Sequence, residues 1–392
     1  MNQLENQFTS LHNAKRVVVK VGTSTLMHNT GKLNLNRMEQ FVRQLVDLQN
    51  QGREVVLVTS GAVGVGLGRL GFTERPASIM ERQAVAAVGQ GLLMQVYEKF
   101  FSEYGQIVAQ ILLTRNDISD RKRYLNARNT ILTLLKYRVI PIINENDTVA
   151  TEELKIGEND TLSALVAGLI EADLLILLSD IDGLYTADPK KNSDAALIPI
   201  VPEIDAKIIK MAGGAGSEFG TGGMLTKLEA AKMATAAGTA MVLMNGQNPL
   251  QIQSIFQGNP IGTLFSSSQP LVNSRKRWIA YGPIANGELM VDQGAERALL
   301  KQGTSLLPSG IVNLRGEFEE GDLIRILNTN QIELGRGLTN YSSEHLKKIK
   351  GKKSSEIEMI LGYKAADEVI HRDNLVITAT IGGDVDGNSK LC

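Results

Sequence analysis

Between residues 14 and 265 the chain alternates apolar runs with helical patterns, and that order constrains the fold more than any other feature. Lys15–Val21, Arg53–Thr59, Gln106–Leu112, Val139–Asn144, Asp173–Ser179 and Ala240–Asn245 read as strands. Two of them, Arg53–Thr59 and Asp173–Ser179, are near-continuous in apolar residues, as strands covered on both faces are. Between them, Leu35–Gln49 places Leu35, Met38, Phe41, Val42, Leu45 and Val46 on one helical face. Residues 75–104, 121–137, Asp160–Glu171 and Thr221–Ala237 read as further helices, the last closed by Gly238. The expected class is α/β with a layered sheet. Pro141 cannot donate to a ladder, so its strand is an edge, or Pro141 marks a strand start or a bulge.

The pattern changes after residue 265. Ser266-Ser267-Ser268-Gln269-Pro270 reads as a surface connection, with a linker over 266–285. From 286 to 372 the segments are short and glycines recur (Gly287, Gly294, Gly303, Gly310, Gly316, Gly321), which predicts a small β-rich barrel or sandwich. Residues 1–13 form a polar extension, and 380–392 a polar tail expected to be disordered. A net charge of −1 argues against a chain built to coat nucleic acid. The single cysteine, Cys392, excludes an intrachain disulfide and a Cys-rich zinc site. The four histidines, at 12, 28, 345 and 371, show no metal-ligand spacing. No apolar run approaches a membrane span, and a cytoplasmic enzyme is expected.

The polar motifs fall where an open α/β sheet binds ligands, at strand carboxyl ends and helix starts. Gly220-Thr221-Gly222-Gly223-Met224-Leu225-Thr226-Lys227 runs from a glycine-rich turn into a helix. Such a turn brings backbone N–H groups to a phosphate, and Lys227 adds a full charge. It does not match GxxxxGK[ST]. Lys20, followed by Gly22 and Thr23, ends the first strand. It either faces a phosphate or snorkels outward. Ser60-Gly61-Ala62 follows the second strand, and Gly64, Gly66 and Gly68 serve either a ligand or close helix packing. Asn144-Glu145-Asn146-Asp147 follows the Pro141 strand, with Asp147 suited to a substrate ammonium group. Asn159-Asp160 opens the next helix, where Asp160 is either a site carboxylate or an N-cap. Ser179-Asp180 starts a polar run through Asp188-Pro189, suited to a nucleotide or to a structured turn. These motifs hold two lysines and no histidine base. Phosphoryl transfer depends on positioning and charge, and a carboxylate acceptor is already ionised at neutral pH. That combination fits phosphorylation of a carboxylate better than of a hydroxyl.

Taken in order, these motifs resemble those of bacterial glutamate 5-kinases, and the match continues through Gly262-Thr263-Leu264-Phe265 and Arg275-Lys276-Arg277-Trp278 into a segment similar to a PUA domain. The resemblance covers residues 14–378. It implies a three-layer α/β/α sandwich of the amino-acid-kinase type, followed by the PUA-like domain. It implies transfer of the ATP γ-phosphate to the side-chain carboxylate of L-glutamate, the first step of proline biosynthesis, with proline as feedback inhibitor. By the same resemblance Lys20 and Lys227 stabilise the transferring group, and Asp160 holds both lysines. Ser60, Gly61, Ala62, Asn144, Asp147 and Asn159 bind glutamate. Lys20, Gly22, Thr23, Ser179, Asp180, Thr221, Gly222, Gly223, Met224, Leu225, Thr226 and Lys227 bind ATP. Mg²⁺ enters mainly on the ATP phosphates, with no protein ligand assigned to it. A homo-oligomer (dimer or tetramer) and handover to glutamyl-phosphate reductase are further implications. The basic cluster Lys347, Lys348, Lys350, Lys352, Lys353 has no interleaved aromatics, so a solvated face is preferred over RNA binding.

Overall fold

A computed structural model describes residues 3–28, 30–72, 74, 76–150, 159–189, 191–211, 223–267, 279 and 285–378. The chain divides into two compact units, Met1–Ser274 and Arg275–Cys392.

The first unit is built on an eight-stranded sheet. Its strands are β1 (Arg16–Val21), β2 (Glu54–Thr59), β3 (Val108–Leu113), β4 (Ile140–Glu145), β5 (Leu174–Ser179), β6 (Ile200–Val201), β7 (Ala240–Asn245) and β8 (Thr263–Phe265). Their order is β3-β4-β2-β1-β5-β7-β8-β6, and only the β7–β8 pair is antiparallel. The first strand in sequence therefore lies in the middle, with β2 on one side and β5 on the other. The chain winds out from it in both directions, which leaves a crevice at the carboxyl end of β1. The near-continuous apolar runs are buried on both faces: Val55 to Val58 of β2, and Leu174 to Leu177 of β5, are 0% exposed.

Pro141 sits at the second position of a strand that has neighbours on both sides, so the edge alternative gives way to the strand start. Pairing with β2 begins only at Ile142, just past the residue that lacks an N–H. The helix expected from residue 75 starts at Ile79. Pro76 precedes it, and Ser78 Oγ caps it by accepting from Glu81 N at 3.2 Å. A separate helix, Ala62–Leu70, occupies the glycine-rich segment after β2. It packs on the long helix Ile79–Glu103 backbone against backbone. A Cβ built on Gly66 would lie 2.0 Å from Val85 O, and one on Gly89 would lie 1.8 Å from Ala62 O. Glycine is therefore the residue that fits there.

The polar extension is part of this unit. Helix Gln3–Ser10 buries Phe8, and Leu11 follows it into the same core as Phe41, Leu45 and Phe256. His12 Nδ1 lies 2.7 Å from Phe256 O, and the Arg53 guanidinium stacks 4.3 Å over the Phe256 ring.

The second unit holds a five-stranded sheet of β9 (Gly287–Val291), β10 (Ile311–Arg315), β11 (Leu323–Leu327), β12 (Glu333–Leu338) and β13 (Leu375–Ile377), in the order β10-β9-β11-β12-β13. It has its own core, with Leu289, Val291, Ile324, Ile326, Tyr341 and Ile349 buried together. Burial raises the Glu333 carboxyl, but hydrogen bonds and charge from Arg336 and Arg325 outweigh it and hold the group below its ordinary range. In the basic cluster, Lys348 pairs with Glu344 at 3.1 Å one turn away. Among the described residues no helix is long and apolar enough to cross a membrane.

Candidate active site

Three chain segments far apart in sequence meet at the carboxyl end of β1. Lys20, 8% exposed, sits between β2 and β5 with its Nζ 2.5 Å from Asp160 Oδ1. The contact is an ion pair rather than an aligned hydrogen bond. Lys227, one turn into helix Gly223–Ala236, places its Nζ 3.2 Å from Asp160 Oδ2 and donates to Gly223 O at 2.9 Å. Asp160 itself is 1% exposed at the second position of helix Asn159–Ile170. It is therefore not the N-cap of that helix; its two oxygens bridge two lysines. Two cations around one carboxylate leave one excess positive charge at the bridge, in a setting where charge interactions are stronger than in water. The snorkelling alternative for Lys20 is also set aside, because its ammonium turns inward.

The turn after β2 closes the other side. Gly61 adopts φ +102°, a left-handed conformation that suits glycine, and leads into helix Ala62–Leu70. Ser60 Oγ donates to Val21 O at 3.2 Å and accepts from Thr23 Oγ1 at 3.3 Å, tying the turns after β1 and β2 together.

A buried amide network supports the floor. Asn159 Nδ2 donates to Thr59 O at 2.5 Å and to Asn144 Oδ1 at 2.8 Å. Asn144 Nδ2 donates to Gln90 Oε1 at 2.8 Å. Thr59 Oγ1 and Tyr97 OH lie 2.9 Å apart. Burial pushes the Tyr97 phenol well above its ordinary value, against a smaller lowering by the Thr59 hydrogen bond, so it stays neutral.

In front of this network lies a cavity of about 590 Å³, a volume suited to small ligands. Lys20, Gly22, Thr23, Ser60, Gly61, Ala62, Asn144, Asp147, Asn159, Asp160 and Lys227 all line it. Gly223 does not line it, and its carbonyl accepts from Lys227 Nζ. Met224, Leu225 and Thr226 follow on the same helix and do not line it; Thr226 Oγ1 donates back to Gly223 O. Ser179 and Asp180 sit at the end of β5 outside this lining, joined to each other at 3.1 Å. Thr221 and Gly222 lie outside the described residues. The structure adds Ser24, Glu145, Val63, Gly64 and Leu67 to the lining, and Gln90 and Tyr97 behind it. Glu145 stood inside a polar run already singled out. A lone glutamine within Ala84 to Gly91, a stretch otherwise of Ala, Val and Gly, was the available signal for Gln90.

The arrangement is a positive bridge beside a pocket rich in hydrogen-bonding groups. It can stabilise charge moving between two oxygens, and it supplies no histidine base. Among the described residues no group of three or more His, Cys, Asp or Glu is placed to hold a metal.

Comparison with known proteins agrees with this chemistry. The model of the amino acid kinase family matches residues 15–245, and that of the PUA domain matches residues 287–361. A glutamate 5-kinase of Moorella thermoacetica is 55% identical over 368 residues, covering 94% of this chain and 97% of that protein. One from Caldanaerobacter subterraneus subsp. tengcongensis is 57% identical over 362 residues, covering 92% and 97%. A third, from Geobacter sulfurreducens, is 49% identical over 367 residues, covering 94% and 98%. With a kinase domain, a PUA domain and identity of this extent, the chain belongs to the glutamate 5-kinase family of amino acid kinases.

Proposed function

We propose that this chain transfers the γ-phosphoryl group of ATP to the side-chain carboxylate of L-glutamate, giving L-glutamyl 5-phosphate, the first step of proline biosynthesis. The Lys20–Asp160–Lys227 bridge carries the reading, because it places two ammonium groups on the wall of the cavity that holds Ser60, Asp147 and Asn159.

Transfer to a carboxylate needs no proton removed, so the protein's work is to align the two oxygens and neutralise charge. Lys20 and Lys227 face the transferring group and stabilise its equatorial oxygens. Asp160 keeps the two ammonium groups together despite their repulsion. Asp147 and Asn159 hold the amino-acid end of glutamate, and Ser60 steadies the turn beneath it. Gly22 and Thr23 offer backbone N–H groups to the phosphates. Both oxygens of Asp160 are engaged by lysines, so a divalent ion fits best on the nucleotide's own phosphates. Mg²⁺ bound there supplies further charge neutralisation. Ser179, Asp180 and the segment from Thr221 to Lys227 form the nucleotide side. Inhibition by proline, a dimer or tetramer, a cytoplasmic location and passage of the labile acyl phosphate to glutamyl-phosphate reductase rest on the family resemblance alone.

Incubation with ATP, Mg²⁺ and a panel of acceptors, with hydroxylamine as the trap, tests the reaction. Hydroxamate is expected from glutamate and not from aspartate or N-acetylglutamate; no hydroxamate from glutamate overturns the reading. Asp147→Asn removes the charge facing the ammonium group. It is expected to raise the glutamate KM about 10–100-fold, the range for a hydrogen bond to a charged group, while the ATP KM holds. Initial-rate kinetics with each substrate varied checks it.

A further inference from the structure

The amide network behind the cavity has a fixed polarity, and one backbone group sets it. Glu145 N–H can only donate, and it donates to Asn144 Oδ1 at 2.9 Å. Asn144 Nδ2 must then face the other way, where it donates to Gln90 Oε1 at 2.8 Å. Asn144 Oδ1 also accepts from Asn159 Nδ2, which donates to Thr59 O as well. Both amide hydrogens of Asn159 are thus used inward. Its carbonyl oxygen, an acceptor only, is the polar atom left for the cavity it lines.

Gln90 ends this chain. It is 8% exposed, and its Nε2 is buried with no partner among the described residues. Turning the Gln90 amide over would set its NH₂ against that of Asn144. Turning Asn144 as well would set an NH₂ against the Glu145 N–H. The glutamine therefore leaves its own Nε2 unpaired while its oxygen pairs Asn144 Nδ2, and an apolar residue of similar length would leave Asn144 Nδ2 unpaired instead. Its helix is brought within reach by Gly89, whose missing Cβ lets that helix touch Ala62.

We propose that Gln90 is a positioning residue for the substrate: it holds Asn144, and through it Asn159, in the orientation that presents an acceptor to the substrate's ammonium group. The inference rests on glutamate being the acceptor substrate.

The test uses the full chain, with initial-rate kinetics for both substrates and thermal melts. Gln90→Met is expected to raise the glutamate KM about 10-fold, with the ATP KM within about twofold and kcat within about threefold of the wild type. Gln90→Glu restores an acceptor at the same place and is expected to keep the glutamate KM within about threefold. A glutamate KM in Gln90→Met within about twofold of the wild type overturns the proposal. So does a Gln90→Glu variant as impaired as Gln90→Met. If Gln90→Met does not fold, Gln90→Leu takes its place; failure of both to fold assigns Gln90 to the scaffold and likewise overturns it. Wild-type protein that makes no glutamyl hydroxamate overturns the function itself, whereas active wild type with an unmoved KM in Gln90→Met overturns this inference alone.

Discussion

Lys227→Ala is expected to lower kcat about 10²–10³-fold, the usual loss when one preorganised stabiliser of transition-state charge is removed. The glutamate KM is expected to move by less than about threefold, because the ammonium group acts on charge that develops during transfer. The fold should survive. Lys20 and Asp160 remain as a balanced pair 2.5 Å apart, and one of two repelling cations is gone. The melting temperature is therefore expected to stay or rise, as when a strained functional site is relaxed. Asp160→Asn makes the contrast. It leaves two lysines with no counter-charge at a site where the carboxylate is 1% exposed, and removing one partner of a buried pair typically costs about 3–5 kcal/mol. Rate and melting temperature measured on both variants separate the roles. Near-normal turnover in Lys227→Ala would remove Lys227 from the chemistry.

The second large effect concerns one methyl group. Gly89→Ala is expected to destabilise the first unit by about 3 kcal/mol or more, in the upper range for overpacking. Helix propensity alone works the other way, favouring alanine by about 1 kcal/mol. The clash decides, because the new Cβ would lie 1.8 Å from Ala62 O and 2.5 Å from Gly66 N, both backbone atoms that cannot rotate aside. Gly91, two residues on and exposed, has nothing within 4 Å of a built Cβ. Gly91→Ala is therefore expected to stabilise the same helix by roughly 0.5–1 kcal/mol. Opposite signs in denaturant unfolding of the two variants would establish close packing as the reason for Gly89. The damage should also reach the site, since Ala62 belongs to the turn that lines the cavity.

The sheet and most of the residues that line the cavity were legible because each is a local signal. Apolar runs marked β2 and β5, and small polar clusters marked their carboxyl ends. What stayed illegible depends on contacts between distant residues. Asp160 could be read as an N-cap or a site carboxylate, and only the approach of Lys20 and Lys227 separates the two. Gly64, Gly66 and Gly68 could serve a ligand or packing. Gly64 lines the cavity, whereas Gly66 is held by the nearness of Val85, a fact about another helix. Gln90 lies on a helix whose apolar and small residues show little periodicity, so its burial could not be told from sequence alone. The polar extension was read only as an extension, yet Phe8 and Leu11 carry it into the core.

The central place of β1 has a consequence for how the protein is made. Lys20 is made before both of its neighbouring strands, since its own strand pairs with β2 on one side and β5, residues 174–179, on the other. Lys227 follows Lys20 by some two hundred residues, which at about 5–20 residues per second is roughly 10–40 s of translation. Within that interval Asp160 is made first and pairs the charge of Lys20, and Lys227 comes last. The charge bridge is therefore completed only after Lys227 has been made, long after the strand that carries Lys20.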